Sequence, residues 1–314
     1  MRGPILETAF TAAFHLRLPL CIAPMQGISG PKLVAAAANA GLLAFVSETD
    51  YGELNALEIQ KSRLQQAQQL ALVKLHKEKA VPLVESIQHY QRELLYRMGM
   101  GFVLSKPRPE AWKCSDEYLA SLLECQPSSI WLTFRKDDAT ASVVSPLKEA
   151  IRDQGLNTAV FAQVIRAEEA TQAALAGADA LVLHAAEERG PGLEASHDSL
   201  TQLLDSTTRS LKENNVILVH QNQSLPLLLA SGGVKTGSDI RWAVKTGFDG
   251  VCMSSRFIMS MESELCKESK EAKLDIDPFL DVVAGKMHHV DTIVEDIVDE
   301  LALAEENLDD KPFG

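Results

Sequence analysis

The chain has 314 residues, of which 46% are apolar and 23% are charged, as in a soluble globular protein. Its net charge of −13 argues against nucleic acid or an anionic membrane surface as the main partner. Charged residues and a proline interrupt the first twenty positions, so we expect no secretory or membrane-spanning run there. Five scattered cysteines fit a reduced cytoplasm, and neither a disulfide framework nor a zinc site.

The first fifty residues predict a strand, a helix and a second strand. The apolar run 20–25 is expected to be a buried strand that includes Cys21 as a small hydrophobic residue. Pro31 stands where helices favour proline, and an Ala-rich helix runs from there to Gly41. Residues 42–47 form the second strand. A strand, helix and strand in this order indicate a parallel sheet with helices outside it.

Residues 54–98 form a long segment with helical spacing of apolar residues, and Pro82 divides it into two predicted helices. Gln, Lys and Glu fill the face opposite the apolar positions, and we interpret this face as solvated. The alternative is that one helix protrudes as a lid or a dimer contact.

The middle of the chain alternates between strands and helices. Strands are predicted at 98–105, 129–134, 158–164 and 179–184, and helices at 114–125, 143–155, 167–178 and 199–214. Gly99 and Gly101 leave the first of these strands without side chains at two positions. This allows either close approach of the backbone to a ligand or packing against a neighbouring helix. Segment 215–224 is either a strand of its own or an apolar connector.

The stretch 225–257 predicts a strand, a helix that ends at Gly247, and a last strand that contains Cys252. The first strand ends in Ser231, Gly232 and Gly233, and the second in Ser254 and Ser255. Such residues let backbone N–H groups surround a small anion, and the loops after strands seven and eight often bind phosphate in eight-stranded barrels. We interpret them as the site of a flavin mononucleotide (FMN) phosphate, although Gly-rich turns also end many strands without a ligand.

Counting these strands gives eight, so the predicted fold is a TIM (β/α)8 barrel with extra helices after strand two and at the C-terminus. We expect one domain over residues 1–314, with a barrel core at 18–262 and a helical extension at 263–314. The acidic, amphipathic tail is expected to pack on the barrel or on a second copy in a homodimer. His288 and His289 are interpreted as surface residues rather than ligands.

Five segments, in order, resemble the nitronate monooxygenase family (2-nitropropane dioxygenase-like flavoproteins): APMQGISGPKLVAAAANAGLL, GFVLS, AGADALVLHAAE, LLLASGGV and GVCMSSRF. The resemblance implies a TIM barrel that holds one FMN at the carboxyl ends of its strands. It implies oxidation of an alkyl nitronate with molecular oxygen as acceptor, and related branches include enoyl reductases.

The resemblance also implies where the cofactor is bound. Residues 23–25 would lie under the flavin ring with backbone hydrogen bonds to it, Gln26 would also contact the cofactor, and Gly101 matches a position that touches the ring edge. The phosphate would be held by the glycine loop and by the end of the last strand. The implied contacts are Ala23, Pro24, Met25, Gln26, Gly101, Gly232, Gly233, Met253, Ser254 and Ser255.

This chain departs from the family pattern after strand six. Pro191 stands where the family has its catalytic His, His184 replaces a flavin-contacting Gln, and Glu187 keeps an acidic position. His184 ends a barrel strand, so it either serves as general acid or base or simply bonds the cofactor. Glu187 is a second catalytic candidate, with a solvated loop as the alternative, and Gln163 is a candidate polar contact in the pocket.

The sequence therefore predicts an FMN-dependent oxidoreductase for a small organic substrate other than a simple nitronate, in specialised metabolism. One alternative is an authentic nitronate monooxygenase whose base is His184. Another is a binding or structural barrel that has lost redox chemistry. A third is a lyase for phosphate esters that uses the same phosphate loop.

Overall fold

The structure is a computed structural model that describes eight stretches of the 314 residues. These are residues 4–47, 54–78, 84–103, 116–134, 140–185, 200–216, 226–265 and 288–306. Part of segment 215–224, the predicted catalytic residue Glu187, and Pro191 at the position of the family's histidine lie outside them.

Eight parallel strands close into a barrel in chain order, from β1 beside β2 round to β8 beside β1. This confirms the predicted TIM (β/α)8 fold. The strands are β1 (Leu20–Ile22), β2 (Leu43–Ser47), β3 (Met98–Val103), β4 (Ser129–Thr133), β5 (Ala159–Val164), β6 (Ala180–His184), β7 (Leu227–Ser231) and β8 (Gly250–Met253).

Helices surround the barrel, and two of them, α3 and α4, follow strand two as predicted. The described helices are α1 (Ala9–Phe14), α2 (Pro31–Asn39), α3 (Leu54–Glu78), α4 (Val84–Leu95), α5 (Asp116–Glu124), α6 (Thr140–Asp153), α7 (Ala167–Leu175), α8 (Leu200–Glu213), α9 (Gly237–Thr246), α10 (Ser255–Ile258) and α11 (Val290–Glu306). None of the helices in the described stretches has the length and apolar character to span a membrane.

Two strand ends were predicted wrongly. Strand β1 stops at Ile22 rather than at residue 25, because Pro24 has no N–H to continue a ladder. Strand β8 stops at Met253, because the backbone of Ser254 turns away from strand geometry (φ −124°, ψ −60°) and α10 begins at Ser255.

The eight strands close into the barrel without segment 215–224, whose first two residues end the turn after α8.

Aromatic side chains fill the barrel interior. Phe45, Trp131 and Phe161 are fully buried, with ring centroids 5.2–6.1 Å apart. Phe10 and Phe14 of α1 pack against Phe161 and close the amino-terminal end of the barrel. A Cβ on Gly250, the first residue of β8, would lie 2.5 Å from the Phe10 ring, so α1 packs closely against this end of the barrel. The barrel is therefore sealed at one end and packed with side chains through its middle.

The C-terminal helix packs on the outside of the barrel. Helix α11 lies mainly against α9 and also touches α2, with Ile293, Ile297 and Leu301 buried beneath it. His289, just before this helix, is exposed and its ring bonds Glu262 at 2.7 Å. The prediction that the tail packs on the barrel is confirmed, whereas the homodimer stays a prediction.

Two aspartates at the amino-terminal ends of β6 and β8 play the same structural role with different partners. Asp179 accepts the Val160 N–H at 2.7 Å and pairs with Lys148 at 2.7 Å. Asp249 accepts the Leu228 N–H at 2.8 Å and has no basic partner in the described part of the chain. Burial raises the pKa of the Asp249 carboxyl, and the hydrogen bond offsets only part of this effect.

This contrast predicts a pH-dependent stability difference for Asp249→Asn, which keeps the hydrogen-bond acceptor and removes the charge. A raised carboxyl pKa in the folded state means that folding takes up a proton, so this group's contribution to stability falls as pH rises above 3.8 through the raised pKa. Urea unfolding at several pH values should show Asp249→Asn gaining stability relative to the wild type over that range.

The control is Asp179→Asn, which leaves Lys148 without its carboxylate. It should lose about 1 kcal/mol at neutral pH. A stability difference between Asp249→Asn and the wild type that does not vary with pH would contradict the assignment.

Candidate functional site

Polar side chains line the carboxyl end of the barrel interior. Five strands carry an apolar residue of the interior cluster, and two positions later each has a polar residue, at its carboxyl end or one residue before it. Because side chains alternate along a strand, both residues face the inside. The five polar residues are Ser47, Thr133, Gln163, His184 and Ser231. This ring, with the loops that follow it, is the candidate functional site, as expected for the fold.

The first loop, after β1, is held by its own hydrogen bonds. The Ala23 N–H donates to the Met253 carbonyl at 3.1 Å, and the Met25 N–H donates to the Ser29 hydroxyl at 3.0 Å. Proline has no N–H at position 24. The backbone donors of residues 23–25 are therefore already used, while Gln26 is exposed.

Pro24 lies over the end of β3. A Cβ on Gly101 would fall 2.1 Å from the Pro24 Cβ, so residue 101 must be glycine for this loop to sit where it does. The close approach at Gly101 is therefore to Pro24, and its predicted contact with the flavin ring edge stays a prediction. Gly99, two residues earlier, is enclosed in the same way by Phe45 and Ser129 inside the barrel.

Gln60 is a site residue that the sequence reasoning missed. It was placed among the solvated polar residues of α3, but it is 3% exposed and its amide donates to the carbonyls of Val46 (3.2 Å) and Gly101 (2.7 Å). It thereby ties together the carboxyl ends of β2 and β3. Its position three residues after buried Leu57 and four before buried Leu64 was a signal in the sequence.

The Ser47 hydroxyl is a buried polar group without a partner among the described residues. The residue is fully enclosed, and its hydroxyl makes no hydrogen bond within the described stretches. Its strand partner is Gly101, beneath Pro24. An unpaired hydroxyl in such a place is costly, so it marks the mouth as a place where a ligand or water completes the bonding.

The turn after β7 has two adjacent backbone N–H groups that are not used by the described chain. Gly232 and Gly233 both have left-handed backbones (φ +86° and +75°), and a Cβ on Gly232 would lie 2.6 Å from the Ala185 carbonyl oxygen. Within the described stretches the N–H groups of both glycines lack an acceptor. Successive N–H groups in such a turn form a concave site for an anion.

The N–H groups of residues 235–237 are already bonded. The Asp239 carboxylate accepts the N–H groups of Lys235 and Thr236, each at 2.8 Å. Glu300 of α11 accepts the Gly237 N–H at 2.8 Å. Within the described chain, an anion at this end of the barrel would therefore find free N–H groups at the glycine turn rather than at residues 235–237.

Arg256 connects the end of β8 to this region. It is 3% exposed, and its guanidinium donates to the Lys235 carbonyl (3.1 Å) and to Glu300 (2.9 Å). Ser254 and Ser255 precede it at the start of α10. Glu300 of the C-terminal helix therefore bonds both the start of α9, through Gly237, and α10, through Arg256. The bond to Gly237 joins residues 63 positions apart, so no local sequence pattern reveals it.

His184 is half-buried at the end of β6, where its Nδ1 lies 3.1 Å from the Ser231 hydroxyl. The two residues are register partners on β6 and β7. The structure thus brings together the His184 ring and the start of the glycine turn. Ser231 fixes one nitrogen of the ring, an orienting contact of the kind that catalytic histidines have.

Gln163 lies at the end of β5 and joins a second polar group. Its carbonyl oxygen accepts hydrogen bonds from the Trp131 indole N–H (3.2 Å) and the Thr133 hydroxyl (3.0 Å). Two hydrogen-bonded groups therefore lie at the mouth of the barrel. One is His184 with Ser231, and the other is Gln163 with Trp131 and Thr133.

Cys21 and Cys252 face each other beneath this site, with sulfur atoms 3.0 Å apart. Both are buried, as predicted. Burial raises the pKa of the Cys252 thiol, which makes it a poor nucleophile.

A cavity of about 1140 Å³ lies at the opposite end of the barrel, around α1 and the start of α11. Ion pairs cross it between Arg17 and Glu295 and between Lys74 and Asp291. It is remote from the carboxyl ends of the strands, so we exclude it as the site of the main chemistry.

Comparison with known proteins gives a consistent result. The family model described as nitronate monooxygenase matches residues 7–308. The nitronate monooxygenase of Neurospora crassa is 26% identical over 231 residues, which cover 69% of this chain and 58% of that protein. Nitronate monooxygenase npaC of Metarhizium robertsii is 28% identical over 255 residues, covering 79% and 61%. The chain thus spans about three fifths of these curated relatives.

Two solved structures share the fold. FabK from Thermotoga maritima superposes with a TM-score of 0.60 at 17% identity, covering 96% of this chain and 98% of that one. A nitroalkane oxidase from Streptomyces ansochromogenes gives 0.62 at 16% identity, covering 95% and 99%. These two similarities support the barrel assignment alone.

The fit of Pro24 over Gly101 predicts the effect of Gly101→Ala. The added methyl group would push the Pro24 loop away from the mouth, and we expect a loss of about 1–3 kcal/mol in the free energy of unfolding. Urea denaturation measures the loss. Limited proteolysis should show faster cleavage in segment 23–29.

The control is Gly99→Ala, whose methyl group meets Phe45 and Ser129 inside the barrel. It should be destabilising without loosening segment 23–29. Equal protection of that segment in both variants would show that Gly101 does not hold the Pro24 loop.

Proposed function

Because this chain belongs to the nitronate monooxygenase family, we propose that it is an oxidoreductase that binds FMN at the mouth of the barrel and acts on a small organic substrate. Molecular oxygen is the proposed electron acceptor. The bound flavin would supply reversible two-electron chemistry. The residues of the chain must supply binding, orientation and proton transfer.

The observation that carries this proposal is the turn of Gly232 and Gly233. Its two N–H groups, which have no acceptor in the described stretches, point to an anion with several acceptor oxygens, and the phosphate of FMN has this chemistry. The position is supported because the N–H groups of residues 235–237 are bonded within the described chain and these two are not. Ser254 and Ser255 would add hydroxyl contacts from the other side, with Met253 beneath them.

The first loop would support the flavin ring. Since the N–H groups of Ala23 and Met25 are bonded within the chain, we propose that Ala23, Pro24 and Met25 contact the ring through their side chains and carbonyls. The Ser47 hydroxyl, which has no partner among the described residues, and the amide of Gln163 would provide polar contacts at the same level. Gln26 and Gly101 complete the proposed set.

His184 is the proposed acid–base residue. It stands at the end of a barrel strand with its Nδ1 held by Ser231, and an imidazole titrates near neutral pH. It would hold or move a proton at a substrate bound over the flavin. Glu187 remains a catalytic proposal from sequence alone.

We propose a substrate other than a simple nitronate, because Pro191 replaces the histidine that the family resemblance places in that role. A second candidate is an authentic nitronate monooxygenase with His184 as base. The placement of His184 at the mouth favours it, as do the names of the two curated relatives. Oxygen uptake with propionate 3-nitronate distinguishes the two.

The cofactor proposal predicts a yellow protein that releases FMN, identified by mass, on denaturation. Gly233→Val should lose most of this FMN, because a side chain would block approach to the phosphate and strain a left-handed backbone by about 1–3 kcal/mol. The measurements are the absorbance spectrum and the flavin content per protein.

Gly155→Val is the matched control, since Gly155 is also left-handed (φ +65°) with open space around it, and it lies just after α6 at the other end of the barrel. It should keep its FMN. A colourless wild type that takes up no added FMN would favour a lyase or a binding barrel instead.

The acid–base proposal predicts that His184→Ala retains flavin and loses turnover by about 10²-fold or more. Steady-state oxygen uptake measures the loss on whichever nitronate or enoyl compound proves to be a substrate. The control is His289→Ala, because His289 is exposed and lies just before α11 on the outside of the barrel. This variant should be fully active. Unchanged turnover in His184→Ala would remove His184 from the mechanism.

A further inference from the structure

Trp131, Thr133 and Gln163 form a closed hydrogen-bond triangle just below the barrel mouth. The indole N–H of Trp131 lies 3.0 Å from the Thr133 hydroxyl and 3.2 Å from the Gln163 carbonyl oxygen. The Thr133 hydroxyl lies 3.0 Å from that same oxygen. Trp131 is fully buried and stacks on Phe161, so its N–H has no access to water.

This triangle permits one orientation of the Gln163 amide. An indole N–H is a donor only, so it requires an acceptor opposite it. If the amide were turned over, its NH2 group would face that N–H, and the Gln163 oxygen would lose both of its donors. The indole N–H would keep the Thr133 oxygen as an acceptor, but it would lie 3.2 Å from a second donor group and be repelled by it, so the carbonyl end stays inward.

The other end of the amide then faces away from the triangle. Gln163 is half-buried, and its NH2 group has no partner in the described part of the chain. Its neighbour β6 carries His184 two residues beyond the register partner of Gln163. The amide is therefore a fixed pair of N–H donors beside the proposed acid–base residue.

We propose that Trp131 and Thr133 are positioning residues that make Gln163 a one-way hydrogen-bond donor to an electron-rich acceptor at the mouth. The acceptor is an oxygen or ring nitrogen that carries or gains negative charge. Two molecules share this chemistry, namely the flavin ring as it is reduced and an oxyanionic substrate. This inference rests on the proposed function, which puts both molecules at the mouth.

The orientation of the amide is tested in the protein without any ligand. The chain has three tryptophans, so 15N-labelled indole groups give three signals, and Trp131→Phe identifies the one from Trp131. Gln163→Glu offers a stronger acceptor in the same shape and should move that signal downfield, and Gln163→Met should move it upfield. A Trp131 signal that is the same in both variants would overturn the triangle.

The donor role is tested with FMN and with propionate 3-nitronate as probes. If the flavin is the acceptor, Gln163→Met should raise the Kd of FMN about tenfold and lower its midpoint potential, with a larger effect in Gln163→Glu. If the substrate is the acceptor, KM should rise by a similar factor at unchanged Kd for FMN. Thr133→Val and Trp131→Phe should reproduce a smaller part of either effect, because they free the amide to rotate.

Phe45→Leu controls for damage to the barrel interior, since Phe45 touches the Trp131 ring without joining the triangle. It should lower stability and leave the Kd of FMN and KM within about twofold. Folded Gln163→Met protein with unchanged Kd, potential and KM would overturn the donor role. A wild type that binds no flavin would instead overturn the proposed function, and the indole signal would still decide whether the amide is fixed.

Discussion

The structure depends on a barrel interior that is filled by side chains rather than left open. Phe45, Trp131 and Phe161 pack edge to face and in a stack across the middle, and α1 closes the end beneath them. Such rings bury large apolar areas and resist displacement. Since side chains alternate along each strand, the next inward residue stands directly above this layer. The polar ring at the mouth therefore rests on a rigid floor.

Hydrogen bonds to the backbone then determine which groups at the mouth are available. The Ser29 hydroxyl accepts the Met25 N–H, and the Gln60 amide donates to backbone carbonyls of β2 and β3. Asp239 and Glu300 accept backbone N–H groups at the start of α9. The glycine turn after β7 is left with its N–H groups unbonded in the described chain. Buried backbone groups are otherwise almost always paired. The proposed phosphate position follows from this contrast.

The chemistry proposed for this chain follows its differences from the pattern that it resembles. A proline at position 191 removes the expected base, and a histidine at position 184 comes with a serine at position 231 to hold it. A glutamine on the neighbouring strand is fixed by an indole from below. Two preoriented polar groups on adjacent strands form a suitable environment for proton transfer and charge stabilisation. This arrangement suits a family member with an altered substrate.

Local pattern was enough to predict the eight strand–helix units, the helices after strand two and the glycine turn, because periodicity and turn chemistry depend on neighbours in sequence. It placed His184 and Gln163 at strand ends correctly, yet it misjudged where β1 and β8 stop and treated Gln60 as solvated. Only the closed barrel showed that Gly101 makes room for Pro24, that Glu300 bonds the N–H of Gly237, and which way the Gln163 amide faces. Those contacts join residues far apart in the chain, so they are fixed by strand register and packing rather than by any local spacing.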